Sequence, residues 1–178
     1  TGLTVYGFLP PLPGCTLESR HLGLVTAGEV DGLARTLEAL GRAAAEHLEV
    51  DGLLALAQSA PTLTVQEPPR PPRPAQRIRI GVARDMAFCF YYADSLDALR
   101  AAGAQIRFFS PLRDAALPPE ADGLYLGGGY PELHAEALSR NEGMRRSIRQ
   151  AIAAGLPTVA ECGGFLYLQE RLTDDRGR

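Results

Sequence analysis

Six prolines, Pro61, Pro68, Pro69, Pro71, Pro72 and Pro74, crowd into the stretch from Pro61 to Arg77, and this crowding constrains how the rest of the chain can fold. Each proline fixes its own φ and removes a backbone donor, so the stretch can hold neither a helix nor a central strand. It reads as an extended, semi-rigid linker over residues 61–77. Two globular pieces flank it, residues 1–60 and residues 78–178.

In the first piece, Thr4 to Leu9 is a β-branched and aromatic run stopped by Pro10, the pattern of a short strand. Leu33, Leu37, Leu40, Ala44 and Leu48 recur at helical spacing, and Asp51 is placed to cap a further turn over Leu53 to Gln58. One strand and two helices bury too little to stand alone, so this piece is expected to be the tail of a larger domain.

The second piece alternates strand and helix. Ile78 to Ala83 is nearly all apolar, as in a strand covered on both faces. Ser95 is placed to cap a helix carrying Leu96, Leu99 and Ala102, closed by Gly103. Strands are expected at Gln105 to Phe109, Gly123 to Leu126 and Thr158 to Ala160, with helices after Pro131, along Met144, Ile148 and Ile152, and after Gly164. This alternation implies an α/β fold with a parallel, doubly wound sheet whose ligands bind beyond the carboxyl ends of the strands.

Composition removes several function classes. All 18 basic residues are arginine. A phosphate-binding P-loop and Schiff-base chemistry both need lysine, so this chain by itself supplies neither. A net charge of −3 argues against nucleic acid or an anionic membrane as partner. No apolar run is long enough to span a bilayer. Cys15, Cys89 and Cys162 form neither a disulfide framework nor a metal-binding spacing, which favours a cytoplasmic setting with no resident metal. Thr1 to Val5 reads as an interior start rather than a leader.

The strongest chemical signal is Val159-Ala160-Glu161-Cys162-Gly163-Gly164-Phe165, where a strand runs into a cysteine, two glycines and a helix. This is the pattern of a nucleophile elbow, a tight turn that exposes the nucleophile and points the next backbone N–H at a developing oxyanion. The same residues also fit a buried small cysteine before a glycine turn. A second signal, Leu126-Gly127-Gly128-Gly129-Tyr130-Pro131-Glu132, again follows a strand. Its glycines let backbone donors approach a ligand, although an ordinary βα turn reads alike and the spacing is not that of a phosphate loop. Both turns belong to the same expected sheet edge, where they would supply a thiol and an oxyanion pocket. No base is evident. His21 and His47 precede the linker, and His134 is as well suited to a structural hydrogen bond as to catalysis. Cys15 and Cys89 read as packing.

Taken in order, several blocks resemble cobyrinate a,c-diamide synthases, the hydrogenobyrinate enzymes included. These blocks are Leu17 to Leu24, Ala83-Arg84-Asp85-Met86-Ala87-Phe88-Cys89-Phe90-Tyr91-Tyr92, Phe108 to Leu112, Gly123 to His134, and Ala160-Glu161-Cys162-Gly163-Gly164. The resemblance implies a glutamine-dependent ligase of cobalamin biosynthesis. Residues 1–60 would be the end of an ATP-binding domain similar to dethiobiotin synthetase, and residues 78–178 the first part of a class I-like glutamine amidotransferase domain. It further implies that Cys162 attacks glutamine, that Gly128, Gly129 and Gly163 hold the oxyanion, and that ATP with Mg2+ activates the a and c carboxylates of a corrinoid substrate. Assembly into a homo-oligomer is compatible with it.

The resemblance also places a lysine-bearing phosphate loop before Thr1 and a catalytic histidine after Arg178, so the chain is expected to be an internal piece, inactive alone. Glu18-Ser19-Arg20-His21 departs slightly from the family's pattern, in which proline tends to precede Glu-Arg-His. Nickel-sirohydrochlorin diamide synthase and cobyric acid synthase share the architecture. A free-standing cysteine hydrolase pairing His134 with Cys162 is the reading from another class.

Overall fold

A computed structural model describes residues 2–20, 23–65 and 77–171. The chain divides into two compact units, one up to residue 66 and one from residue 67. Most of the expected linker, 66–76, lies outside the described residues, as do His21 and Leu22.

In the first unit, β1 (Ser19–Arg20) pairs antiparallel with β2 (Gly23–Leu24). A 3-10 turn at Ala27–Glu29 follows, its start tied by the Thr26 amide donating to the Glu29 carboxylate at 3.2 Å. The helical stripe forms α1 (Leu33–His47), and α2 spans Val50–Gln58. Asp51 lies in the first turn of α2 rather than capping it, because the chain turns at Glu49, whose amide donates to the Tyr6 carbonyl. The expected strand at Thr4 to Leu9 does not form. Only Gly7 bridges Leu48, and Val5 and Phe8 are 77% and 72% exposed. A β-branched run needs a neighbouring strand to satisfy its backbone, and the described part of this unit offers none beyond that bridge.

The second unit contains β3 (Ile78–Ala83), α3 (Ala93–Ala101), β4 (Ala104–Phe109), β5 (Gly123–Leu126), a 3-10 turn at Pro131–His134, α4 (Ala135–Arg140), α5 (Glu142–Ala153), β6 (Thr158–Ala160) and α6 (Gly163–Tyr167). Its four described strands are all parallel, in the order β4-β3-β5-β6. This is the α/β sheet expected of a class I-like glutamine amidotransferase. Helix α3 begins at Ala93, with Tyr92 at the cap, so Ser95 sits inside its first turn. Gly103 and Gly155 close α3 and α5 with φ of +99° and +90°, a left-handed step that glycine takes without strain.

Phe88, Leu126 and Met144 are fully buried, and Leu124, Leu138, Ile148 and Phe109 nearly so. Burial of each such side chain contributes roughly 1.5–3 kcal/mol. Asn141 fixes the approach of α5. Its Oδ1 accepts from the Met144 amide at 3.3 Å, and its Nδ2 donates to the carbonyls of Pro111 and Asp114, each at 2.8 Å. Asn141 thereby ties the start of α5 to the loop after β4, while Leu138, Met144 and Ile148 share one apolar cluster with Ala83, Leu124 and Leu126 of β3 and β5.

Candidate functional site

β5 and β6 are neighbours, with Leu126 in register with Ala160, so the segments that follow them emerge side by side. Two backbone bonds stitch them together: the Glu161 amide donates to the Leu126 carbonyl at 3.0 Å, and the Gly164 amide to the Gly127 carbonyl at 2.9 Å. Cys162 stands between them, exposed, at φ 50° and ψ −117°, and forms the N-cap of α6. For a side chain with a Cβ this conformation costs on the order of 1–3 kcal/mol. Such strain persists only where the surroundings enforce it, and the strand-to-helix elbow is its usual setting. The alternative of a buried cysteine is excluded by the exposure of the side chain.

The enforcement comes from glycines. A Cβ at Gly164 would lie 2.0 Å from the Leu126 carbonyl oxygen, and one at Gly163 would lie 3.0 Å from the Gly129 nitrogen and 2.8 Å from Pro131 Cδ. No larger residue lets the elbow sit this close to the glycine turn. On the facing wall, a Cβ at Gly128 would stand 3.5 Å from that of Cys162, and one at Gly129, where φ is +155°, would strike the Ala87 carbonyl oxygen at 2.1 Å. The structure therefore brings together all four expected site residues, Cys162, Gly163, Gly128 and Gly129, at the carboxyl edge of one sheet. Backbone amides packed beside an exposed thiol suit acyl transfer, in which a tetrahedral oxyanion must be held.

The segment after β3 supports this wall. The Phe90 amide donates to the Gly128 carbonyl at 3.0 Å. The Tyr91 hydroxyl accepts from the Gly127 amide at 2.9 Å and donates to the Ala83 carbonyl. Asp85 organises the segment's start, accepting from the amides of Ala87 and Phe88, the Ser110 hydroxyl and the Leu112 amide, at 2.7 to 3.3 Å. Tyr125 donates its hydroxyl to Glu161, the residue before the cysteine, and stacks edge-on with Tyr91 at 5.3 Å. Burial, together with the bond to Glu161, pushes the Tyr125 hydroxyl up to about 12. Burial raises Tyr91 as well, the Gly127 amide opposing it. Sequence reasoning gave Asp85, Tyr91 and Tyr125 no role. The signal was present in the block Ala83 to Tyr92, but only the folded sheet shows what those side chains hold.

The histidines do not complete the site. His134 ends the 3-10 turn after Pro131, and among the described residues no hydrogen bond joins it to Cys162. His47 is exposed at the end of α1, and His21 lies outside the described residues. Cys89, expected to pack, is exposed, because Ala87 and Phe88 take the buried positions of that loop. Among the described residues no group of His, Cys, Asp or Glu could hold a metal ion, and no helix is long and apolar enough to cross a membrane. With no lysine in the chain, these residues do not supply the lysine of a phosphate-binding loop. A groove of about 870 Å³ lined by Ile80, Leu99, Tyr125 and Val159 does not include Cys162.

Residues 79–178 match the family model of the CobB/CobQ-like glutamine amidotransferase domain. Cobyrinate a,c-diamide synthase of Methanosarcina acetivorans is 45% identical over 97% of this chain, and that of Listeria monocytogenes 43% over 97%. Hydrogenobyrinate a,c-diamide synthase of Stutzerimonas stutzeri is 50% identical over 95%. The chain spans 37% to 38% of the length of these curated relatives. No solved structure matches it.

Proposed function

The chain belongs to the cobyrinate and hydrogenobyrinate a,c-diamide synthase family, and on that premise we propose that it carries the glutaminase half of a corrinoid amide ligase, with Cys162 as nucleophile. The observation that supports this most is the exposed, strained Cys162 held against the Gly128-Gly129 turn. In this reading the Cys162 sulfur forms a bond to the amide carbon of glutamine, and the oxygen, now negative, is stabilised by backbone amides from Gly163 and the glycine turn. One such donor is worth roughly 3 kcal/mol of transition-state stabilisation. The C–N bond then breaks, the proton from the thiol leaves with ammonia, and the γ-glutamyl thioester is hydrolysed to glutamate. The resemblance implies a proton-carrying histidine at a position after Arg178.

The ammonia would convert the a and c carboxylates of cobyrinic or hydrogenobyrinic acid to amides in the cytoplasm. Activation by ATP with Mg2+ belongs to the part of the relatives that this chain does not cover. Residues 1–60 are assigned to the end of that ATP-binding portion, residues 61–77 to a linker, and residues 78–178 to the amidotransferase.

The test uses protein produced at the relatives' length. A glutamine-analogue diazoketone should label Cys162 selectively. Cys162→Ser should abolish glutamine-driven amidation of cobyrinate while sparing ammonia-driven amidation. Loss of both would overturn the two-site scheme. Amidation of a different tetrapyrrole, with cobyrinate untouched, would correct the substrate.

A further inference from the structure

The block Ala83 to Tyr92 holds an aromatic residue whose position is tied to both walls of the site, and the reading of Cys162 above gives it no task. Resting on that reading, we propose that Tyr91 is a positioning residue for glutamine hydrolysis, setting the Gly127-Gly128-Gly129 turn at the distance from Cys162 that the oxyanion requires.

Four observations converge on this residue. Its hydroxyl accepts from the Gly127 amide at 2.9 Å, at the first residue of the turn. The same hydroxyl donates to the Ala83 carbonyl, the last residue of β3, so the turn is referenced to an inner strand of the sheet. Its ring crowds Gly127, where an added Cβ would come within 2.4 Å of Cε1 and 2.6 Å of Cζ, so no larger residue fits beside it. The ring also meets Tyr125 edge-on at 5.3 Å, and Tyr125 holds Glu161 immediately before the cysteine. One side chain thus fixes the glycine wall directly and touches the residue that fixes the elbow. Gly128, next in the chain, faces Cys162. A donor displaced by about 1 Å can cost up to about a hundredfold in rate, so release of this clamp has a kinetic signature even where the fold survives.

The experiment compares Tyr91→Phe with the parent in protein of the relatives' length, following glutamate released from glutamine and, separately, alkylation of Cys162 by iodoacetamide. Alkylation needs an accessible thiol but no oxyanion donor. The expected result is a fall of about tenfold in kcat, with KM for glutamine within about twofold and alkylation at the parental rate. Unchanged kcat, or an equal loss in hydrolysis and alkylation, would overturn the proposal. If Tyr91→Phe does not fold, 4-aminophenylalanine at position 91 keeps a donor for Ala83 but supplies only a poor acceptor for the Gly127 amide. It should show the same fall, and parental kcat would count against the clamp. Cys162→Ser in the same assay separates the two readings: persistent glutamate release removes the nucleophile assignment, whereas its loss beside a fully active Tyr91→Phe removes only Tyr91.

Discussion

Gly164 packs so closely on Leu126 that a single methyl group on its Cα would sit 2.0 Å from the Leu126 carbonyl oxygen. Gly164→Ala must therefore push α6 away from β5 and break the hydrogen bond that the Gly164 amide donates to the Gly127 carbonyl. Overpacking of this severity is expected to cost about 3 kcal/mol, readable by chemical denaturation of the second unit. The same change at Gly41, an exposed position within α1 with nothing within 4 Å, should instead stabilise the first unit by about 1 kcal/mol through helix propensity. Equal effects at the two sites would refute the packing account.

Cys162 offers a separate check on strain. At φ 50°, Cys162→Gly relieves a backbone conformation that Cys162→Ala retains, and both remove the same sulfur. After allowance for glycine's extra freedom in the unfolded chain, the glycine variant should be the more stable by about 1 kcal/mol. Both should be inactive with glutamine. An alanine variant as stable as the glycine variant would mean that the elbow is relaxed.

Asp85 accepts from four donors in two loops. Asp85→Ala leaves the Ala87 and Leu112 amides without their acceptor and should destabilise the unit by about 3 kcal/mol. Asp85→Asn, which keeps one acceptor oxygen, should recover part of this. Urea midpoints of the two variants decide it.

Stability should also fall at alkaline pH for a defined reason. Tyr125 and Tyr167 are held up to about 12 in the folded protein, both mainly by burial, whereas an unfolded tyrosine loses its proton near 10. Below pH ~10 both states keep the proton and stability is unaffected. Between about pH 10 and 12 the unfolded state gives up protons that the folded state retains, so unfolding becomes easier as pH rises. The double variant Tyr125→Phe with Tyr167→Phe should show a shallower decline in denaturation midpoints over that window. An unchanged slope would point to other groups.

What the sequence revealed follows the range of the interactions involved. Ile78 to Ala83 was legible as an apolar run, and the stripe Met144, Ile148 and Ile152 through its helical spacing. The elbow and the glycine turn were legible because a sharp backbone path leaves glycine no substitute. Thr4 to Leu9 misled because strand propensity needs a partner to pair with. Asp51 and Ser95 misled because Glu49 and Tyr92 begin their helices without any side-chain cap. Asp85 and Tyr91 stand in plain view, but their roles depend on Ser110, Leu112, Ala83 and Gly127, contacts that only tertiary folding creates.

The two walls around Cys162 are locked to each other. The glycine turn is moored through Tyr91 to β3, and the elbow is bonded to that turn and its strand by the amides of Glu161 and Gly164, which donate to the Leu126 and Gly127 carbonyls. Those two amides should consequently exchange with solvent in step. Thiol and oxyanion donors then keep one spacing, so discrimination among substrates falls to whatever brings a carbonyl into a gap of preset width.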